Sequence, residues 1–99
     1  MRIEQHPDQL DQLRVISPEH GATYSAPPVF VGTPEFVKIL DKVDSVEVAT
    51  GFGDFTLRKR NNIWSGFRRA GETVREYSAG KAEGITSEIL DDIAIRLYL

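Results

Sequence analysis

The stretch DFTLRKRNNIWSGFRRAGETVREY, residues 54–77, decides the fold. Aromatic and β-branched side chains alternate with polar ones in three runs, and Asn61-Asn62 and Ala70-Gly71 interrupt them with turn residues. Three antiparallel strands joined by tight turns fit that pattern. A three-residue loop at Arg60-Asn61-Asn62, with Asn62 left-handed, would pair Phe55 with Phe67 and Lys59 with Ile63. Phe55, Leu57, Ile63, Phe67 and Val74 then share an apolar face, and Arg58, Trp64, Arg68, Arg75 and Tyr77 share the opposite one. The side-chain period is two, so a slip of one residue would exchange the faces.

The same reading extends to both sides. Upstream, Val46 and Val48 flank Glu47 in a strand over 45–50. Before it, Thr33-Pro34-Glu35 offers a capping hydroxyl, a proline for the first helical position and a carboxylate near the positive end of the dipole. Phe36, Val37, Leu40 and Val43 continue at helical spacing, predicting a short helix over 34–43. Val29-Phe30-Val31 is a short strand, residues 17–28 have loop composition, and Leu13–Ile16 reads as a strand. Asp8 could instead cap a helix through Leu10, Leu13 and Ile16. Downstream, Thr86 or Ser87 caps a closing helix over 87–98, with Ile85, Ile89, Ile93 and Leu97 recurring every four residues and Asp91, Asp92 and Arg96 on its wet side. The expectation is one small α+β domain over 1–99. Its antiparallel sheet or meander has strands near 13–16, 29–31, 45–50, 54–59, 63–68 and 72–78, packed with the two helices.

A chain of 99 residues, 40% hydrophobic and 27% charged, suits a single globular unit. It has no cysteine, which excludes disulfides, thiolate catalysis and cysteine-ligated metal. No apolar run approaches a membrane span and the first residues do not read as a signal peptide, so a cytoplasmic location is expected, with no membrane partner. Charge is sorted along the chain. Residues 51–81 carry seven basic side chains against three acidic ones, a net of +4, whereas 1–50 carry −4 and 82–99 carry −3.

Catalytic patterns are missing from this sequence. His6 and His20, with Glu4, Asp8, Asp11 and Glu19 nearby, fit no metal-ligand spacing. None of the serines lies in a strand–turn–helix elbow. Asp91 and Asp92 are adjacent on a helix and point apart. Gly51-Phe52-Gly53 is followed by a strand, so no helix terminus would meet a phosphate there. The reading is of a non-enzyme with no cofactor and no metal.

The segment from Gly51-Phe52-Gly53 through Arg58 resembles the turn and strand that lead into the DNA-binding arm of the histone-like HU proteins. There too a helix with apolar spacing precedes a Gly-Phe-Gly turn, and an Ala-Gly turn follows a basic arm, as Ala70-Gly71-Glu72 does here. The resemblance covers roughly residues 36–74 and implies phosphate contacts at Arg58, Arg60, Arg68 and Arg69. The arm's Arg-Asn-Pro tip is missing, Ile63-Trp64 interrupts it, and residues 1–33 lack that family's two long helices.

Basic and aromatic side chains together mark a binding surface, expected at Arg58, Arg60, Trp64, Arg68, Arg69, Arg75 and Tyr77. The partner expected is another protein with an acidic surface, which makes the chain a small inhibitor, immunity-type or adaptor module. Nucleic-acid binding through the same face is the alternative, opposed by the overall charge of −3. A homodimer that buries the Trp64 face is a third class. Arginine stacked on tryptophan merely to cover a sheet face would need no partner at all.

Overall fold

The computed structural model describes residues 2–6, 12–16 and 29–99. Within them the strands are β1 (Arg2–Gln5), β2 (Leu13–Ile16), β3 (Val29–Phe30), β4 (Ser45–Thr50), β5 (Gly53–Arg60), β6 (Ile63–Ala70) and β7 (Thr73–Gly80). The helices are α1 (Pro34–Leu40) and α2 (Ser87–Leu97), with a single 3₁₀ turn at Ala82–Gly84. The strands form one sheet in the order β3-β2-β1-β4-β5-β6-β7. Among the described strands only β1 and β4 pair in parallel. The α+β architecture and the meander from β4 to β7 match the expectation. The loop expected over 17–28, Asp8 and the surroundings of His20 lie outside the described residues, whereas Leu13–Ile16 form β2 as expected and not the alternative helix.

Strand β1 was not expected. Ile3 is the one apolar side chain of Arg2-Ile3-Glu4-Gln5, and four residues are too few for a period to show. Its place comes from the partners on both sides: Ile3 faces Val15 of β2 and Val48 of β4, and is fully buried.

Helix α1 starts where the sequence indicates. Thr33 Oγ1 accepts from the Phe36 N–H at 3.4 Å and donates to the Phe30 carbonyl at 2.8 Å, and Pro34 takes the first turn. It ends at Leu40 rather than 43 because Lys42 and Val43 donate three residues back, to Ile39 and Leu40, which tightens the last turn out of the α form. In α2 the two candidate caps divide the work. Thr86 Oγ1 accepts from Ile89 N–H at 3.2 Å, while buried Ser87 accepts from the Leu13 N–H at 3.1 Å and ties the start of α2 to β2.

Both helices contribute to one buried cluster on one face of the sheet. Val46, Val48, Phe55, Leu57 and Trp64 meet Phe36 and Leu40 of α1 and Leu90, Ile93, Ala94 and Leu97 of α2. No described helix covers the other face, where Arg58, Arg60, Ile63, Arg69 and Val74 are exposed. Close approach of α2 depends on Gly66. A Cβ there would lie 2.7 Å from Ile93 Cγ2 and 2.8 Å from Phe55 Cε2. The missing side chain is therefore filled by the helix.

One expectation is overturned by the hairpin register. Arg60 pairs with Ile63, Lys59 with Trp64 and Leu57 with Gly66, so the loop contains only Asn61 and Asn62. Both are left-handed, with φ of 52° and 65°, as a type I′ turn demands. Its twist matches that of the flanking strands, which favours two residues over three. The one-residue change exchanges the faces of β6 relative to β5. Trp64, Gly66 and Arg68 join Phe55 and Leu57 on the helix-covered side, and Ile63, Phe67 and Arg69 turn outward. On β7, Val74 and Glu76 share the outward face with Phe67, while Arg75 and Tyr77 lie on the helix side. Arg58 and Trp64 are thus on opposite faces.

Gly66→Ala is expected to destabilise the protein by about 1–3 kcal/mol through overpacking. Ile93→Ala is expected to cost about 2–4 kcal/mol through the cavity it leaves. In thermal or urea unfolding the double variant should lose less than the sum, since shortening Ile93 makes room for the new methyl. Additive losses would mean that the two positions do not touch.

Candidate functional site

The residues expected to form one surface separate into two groups. On the helix side, Trp64 is only 1% exposed and belongs to the core, with Lys59 Nζ 5.7 Å from its ring centroid. Lys59 also faces Asp44 at 3.9 Å. Trp64 is therefore a packing residue and not an anchor for a partner.

Arg68 and Arg75 serve the end of α2. The Arg68 guanidinium stacks 3.8 Å from the Tyr98 ring centroid and donates to the Leu97 carbonyl at 3.2 Å; Arg75 donates to the Leu99 carbonyl. Tyr98 completes the clamp from the other side: its hydroxyl donates to the Asp54 carbonyl at 2.6 Å and accepts from the Asp54 N–H at 3.2 Å. Gly53, at φ 141°, leaves the space for that ring, because a Cβ would come within 2.4 Å of Tyr98 Cε2. Carbonyls at a helix C-terminus carry partial negative charge, so two guanidinium groups there are well placed. Tyr77, also on the helix side, is exposed beside α2.

The open face keeps Arg58, Arg60 and Arg69 and adds Phe67. Strand β5 aims the first two outward at alternate positions, and β6 does the same for Phe67 and Arg69. The Arg58 guanidinium lies 4.6 Å over the Phe67 ring centroid. These four side chains, with Val74 and Glu76 of β7, line a depression of about 290 Å³. Among the described residues none of the three arginines makes an ion pair. Arg2, by contrast, pairs with Glu4 at 3.3 Å and Asp54 at 3.9 Å on the same sheet face. Charge on this face is thus uneven, with Arg2 of β1 paired and the arginines of β5 and β6 unpaired. Phe67 and Val74 are additions that the sequence reading assigned to the buried face. The Asn-Asn dipeptide was the signal that could have placed them, since asparagine tolerates the left-handed region at both turn positions.

Among the described residues no group of three or more histidine, aspartate or glutamate side chains is placed to hold a metal, and no helix is long and apolar enough to cross a membrane. Asp92 pairs with Arg96 one turn on, at 2.9 Å. Its neighbour Asp91 is half-buried, and that burial raises its carboxyl above the ordinary value of 3.8. The β5–β6 hairpin lies inside the sheet, with β4 on one side and β7 on the other, so the stretch that resembles the HU arm is no free arm here. Comparison with known protein families, characterised proteins and solved structures gave no match.

Two outcomes distinguish the clamp from the open face. Arg68→Ala should lower stability by about 1–2 kcal/mol, because it removes a charged hydrogen bond and a ring contact. Arg60→Ala should stay within about 0.5 kcal/mol in the same unfolding measurement. Asp91 gives a pH test with a definite sign. A raised carboxyl pKa means the folded chain binds the proton more tightly than the unfolded one, so stability falls as pH rises from 3.8 through the raised value. Asp91→Asn should therefore melt above the wild type near neutral pH, with the gap closing below pH 3.8. A gap that widens on acidification would contradict the burial argument.

Proposed function

We propose that this chain is a small non-enzymatic binding protein of inhibitor, immunity or adaptor type, working in the cytoplasm, whose open sheet face takes an acidic surface of a partner protein. One observation carries the reading: Arg58, Arg60 and Arg69 line one depression with Phe67 on a sheet face that no described helix covers, and none of the three makes an ion pair among the described residues. Arginine and aromatic side chains are enriched where protein interfaces hold most of their energy. Uncompensated charge of one sign also speeds encounter with a surface of the other. The absence of cysteine agrees with a reducing compartment.

Two features favour a protein partner over nucleic acid. Arg58 occupies one side of the Phe67 ring, which leaves that side unavailable for base stacking. Glu47 and Glu76 share the same sheet face, and an extended phosphate backbone crossing it would meet them. A compact acidic patch can seat on the three arginines without reaching Glu47 and with Glu76 at one side only. Trp64, Arg68 and Arg75 have no part in this surface, because the core and the α2 clamp engage them.

The test is fluorescence anisotropy with a labelled glutamate-rich peptide and with random single-stranded and duplex DNA, each at two salt concentrations. Expected is salt-sensitive binding of the acidic peptide that exceeds binding of either DNA. The triple variant Arg58→Glu, Arg60→Glu, Arg69→Glu should lose it while its circular dichroism and melting stay unchanged. Retained binding in that variant would sink the proposal. Tighter binding of DNA with a steep salt slope would replace the protein partner with nucleic acid.

A further inference from the structure

We propose that this chain forms a symmetric dimer in which the free edges of two β7 strands pair antiparallel about a two-fold axis at Tyr77. The contact is made through the strand edge. It goes beyond the function proposed for the arginine face and does not depend on it.

Strand β7 is the last in the sheet and, among the described residues, pairs only with β6. Every residue from Thr73 to Ser78 is exposed. Ala70 and Thr73 close the two-residue turn at Gly71 and Glu72, so they form a hydrogen-bonded pair, as do Arg68 with Arg75 and Gly66 with Tyr77. The N–H and C=O groups of Val74, Glu76 and Ser78 therefore point away from β6, toward the open side. An edge of this kind is a template for another strand unless charge, proline or a bulge blunts it. No proline interrupts β7, and its one irregularity lies at the far end, opposite Trp64 and Ser65 of β6. Arg75, whose charge could guard the edge, is drawn onto the Leu99 carbonyl.

The residues of β7 complement a second copy of themselves in one register. A two-fold axis normal to the sheet keeps helix side with helix side, and it opposes residues at equal distances from the residue on which it is centred. Centred on Arg75 it sets Arg75 against Arg75, and centred on Glu76 it sets Glu76 against Glu76. Like charges directly opposite destabilise a strand pair. Centred on Tyr77 it sets Glu76 against Ser78, Tyr77 against Tyr77 and Arg75 against Ala79, and no like charges meet. The outward N–H and C=O groups of Glu76 and Ser78 then bond across the axis on both sides of it. Ser78 Oγ already accepts from the Gly80 N–H at 3.3 Å, which leaves its own proton free to donate to the Glu76 carboxylate opposite. On the helix side the two Tyr77 rings, each 36% exposed alone, meet at a non-hydrogen-bonded pair, where opposed side chains come closest. Each ring also walls a cleft of about 490 Å³ lined by Ala79, Ile89 and Ile93, so the pairing covers apolar surface that α2 leaves open. Leu99 lies beside Arg75 and Glu88 beside the cleft, so the same axis turns the Glu88 end of each α2 toward the Arg96 end of the other.

Sedimentation velocity of the full chain between about 1 µM and about 1 mM should show a reversible monomer–dimer equilibrium. Tyr77→Lys and Tyr77→Asp, each checked to melt like the wild type when dilute, should each stay monomeric, because like charges then face each other across the axis. Mixed together they should restore a dimer that holds one copy of each, a pattern that requires residue 77 to oppose itself. Since the chain has no cysteine, a single introduced thiol gives a second readout that adds no charge. Under mild oxidation Tyr77→Cys should close a disulfide between copies, because opposed residues of a non-hydrogen-bonded pair lie within disulfide reach. Val74→Cys, set well away from its own copy in this register, should cross-link at least about tenfold more slowly. A wild type that stays monomeric up to about 1 mM would overturn the dimer. Lysine and aspartate variants that dimerise alone, or fail to pair when mixed, would overturn the register, as would faster cross-linking through position 74.

Discussion

With Asn61 and Asn62 both in the left-handed region, the β5–β6 hairpin closes in two residues, and that closure fixes the face of every later side chain in the meander. It turns Trp64 inward, to a place where its indole is almost wholly removed from water. It puts Gly66 under Ile93, the only way α2 can come close enough to bury its apolar side. It also turns Phe67 outward among arginines. A three-residue loop would bring Trp64 and Arg68 to solvent and press Phe67 against the helix, so hairpin, core and surface chemistry depend on the same two backbone angles.

Basic residues in this chain form one cluster in sequence but do two jobs in space. Arg68 meets the Leu97 carbonyl at the end of α2 and the Tyr98 ring, and Arg75 meets the Leu99 carbonyl just beyond, so both charges sit at the negative end of the helix dipole. Arg58, Arg60 and Arg69 face water around a depression that Glu76 also lines, and none of them makes an ion pair among the described residues. Adjacent residues on β6, Arg68 and Arg69, fall on different sides of this division because a strand alternates. Charge counted along a sequence window cannot separate the two roles, whereas register can.

Much of the fold was legible from local signals. Thr33-Pro34-Glu35 and Thr86 marked both helix starts, and the four-residue recurrence of Ile85, Ile89, Ile93 and Leu97 marked the apolar side of α2. Period-two alternation located β4 through β7. Information was missing wherever it is non-local. Strand β1 has one apolar residue and owes its position to β2 and β4, far away in the chain. The candidate site was half legible: Arg58, Arg60 and Arg69 could be named as surface residues, but Phe67 looked like core and Trp64 like surface. Both errors come from counting the turn as three residues instead of two. The Ser87 hydroxyl, which reads as a second helix cap, is instead spent on the backbone of β2, and nothing local announces that partner.

That bond between Ser87 and Leu13 joins residues 74 apart, and its neighbours Ile85, Leu90, Ile93 and Leu97 close the core over strands made much earlier. During synthesis the meander is complete in sequence while its apolar side, with Trp64, Leu57 and Val46, has α1 to meet it but not yet α2. Contacts of such long separation slow the final closure, since loop entropy must be overcome before they form. The nascent sheet therefore passes through an interval with a greasy face and an open β7 edge together, the state in which chains are most prone to aggregate. Emergence of α2 ends that interval, which makes the last helix the timing element of folding as well as a lid on the core.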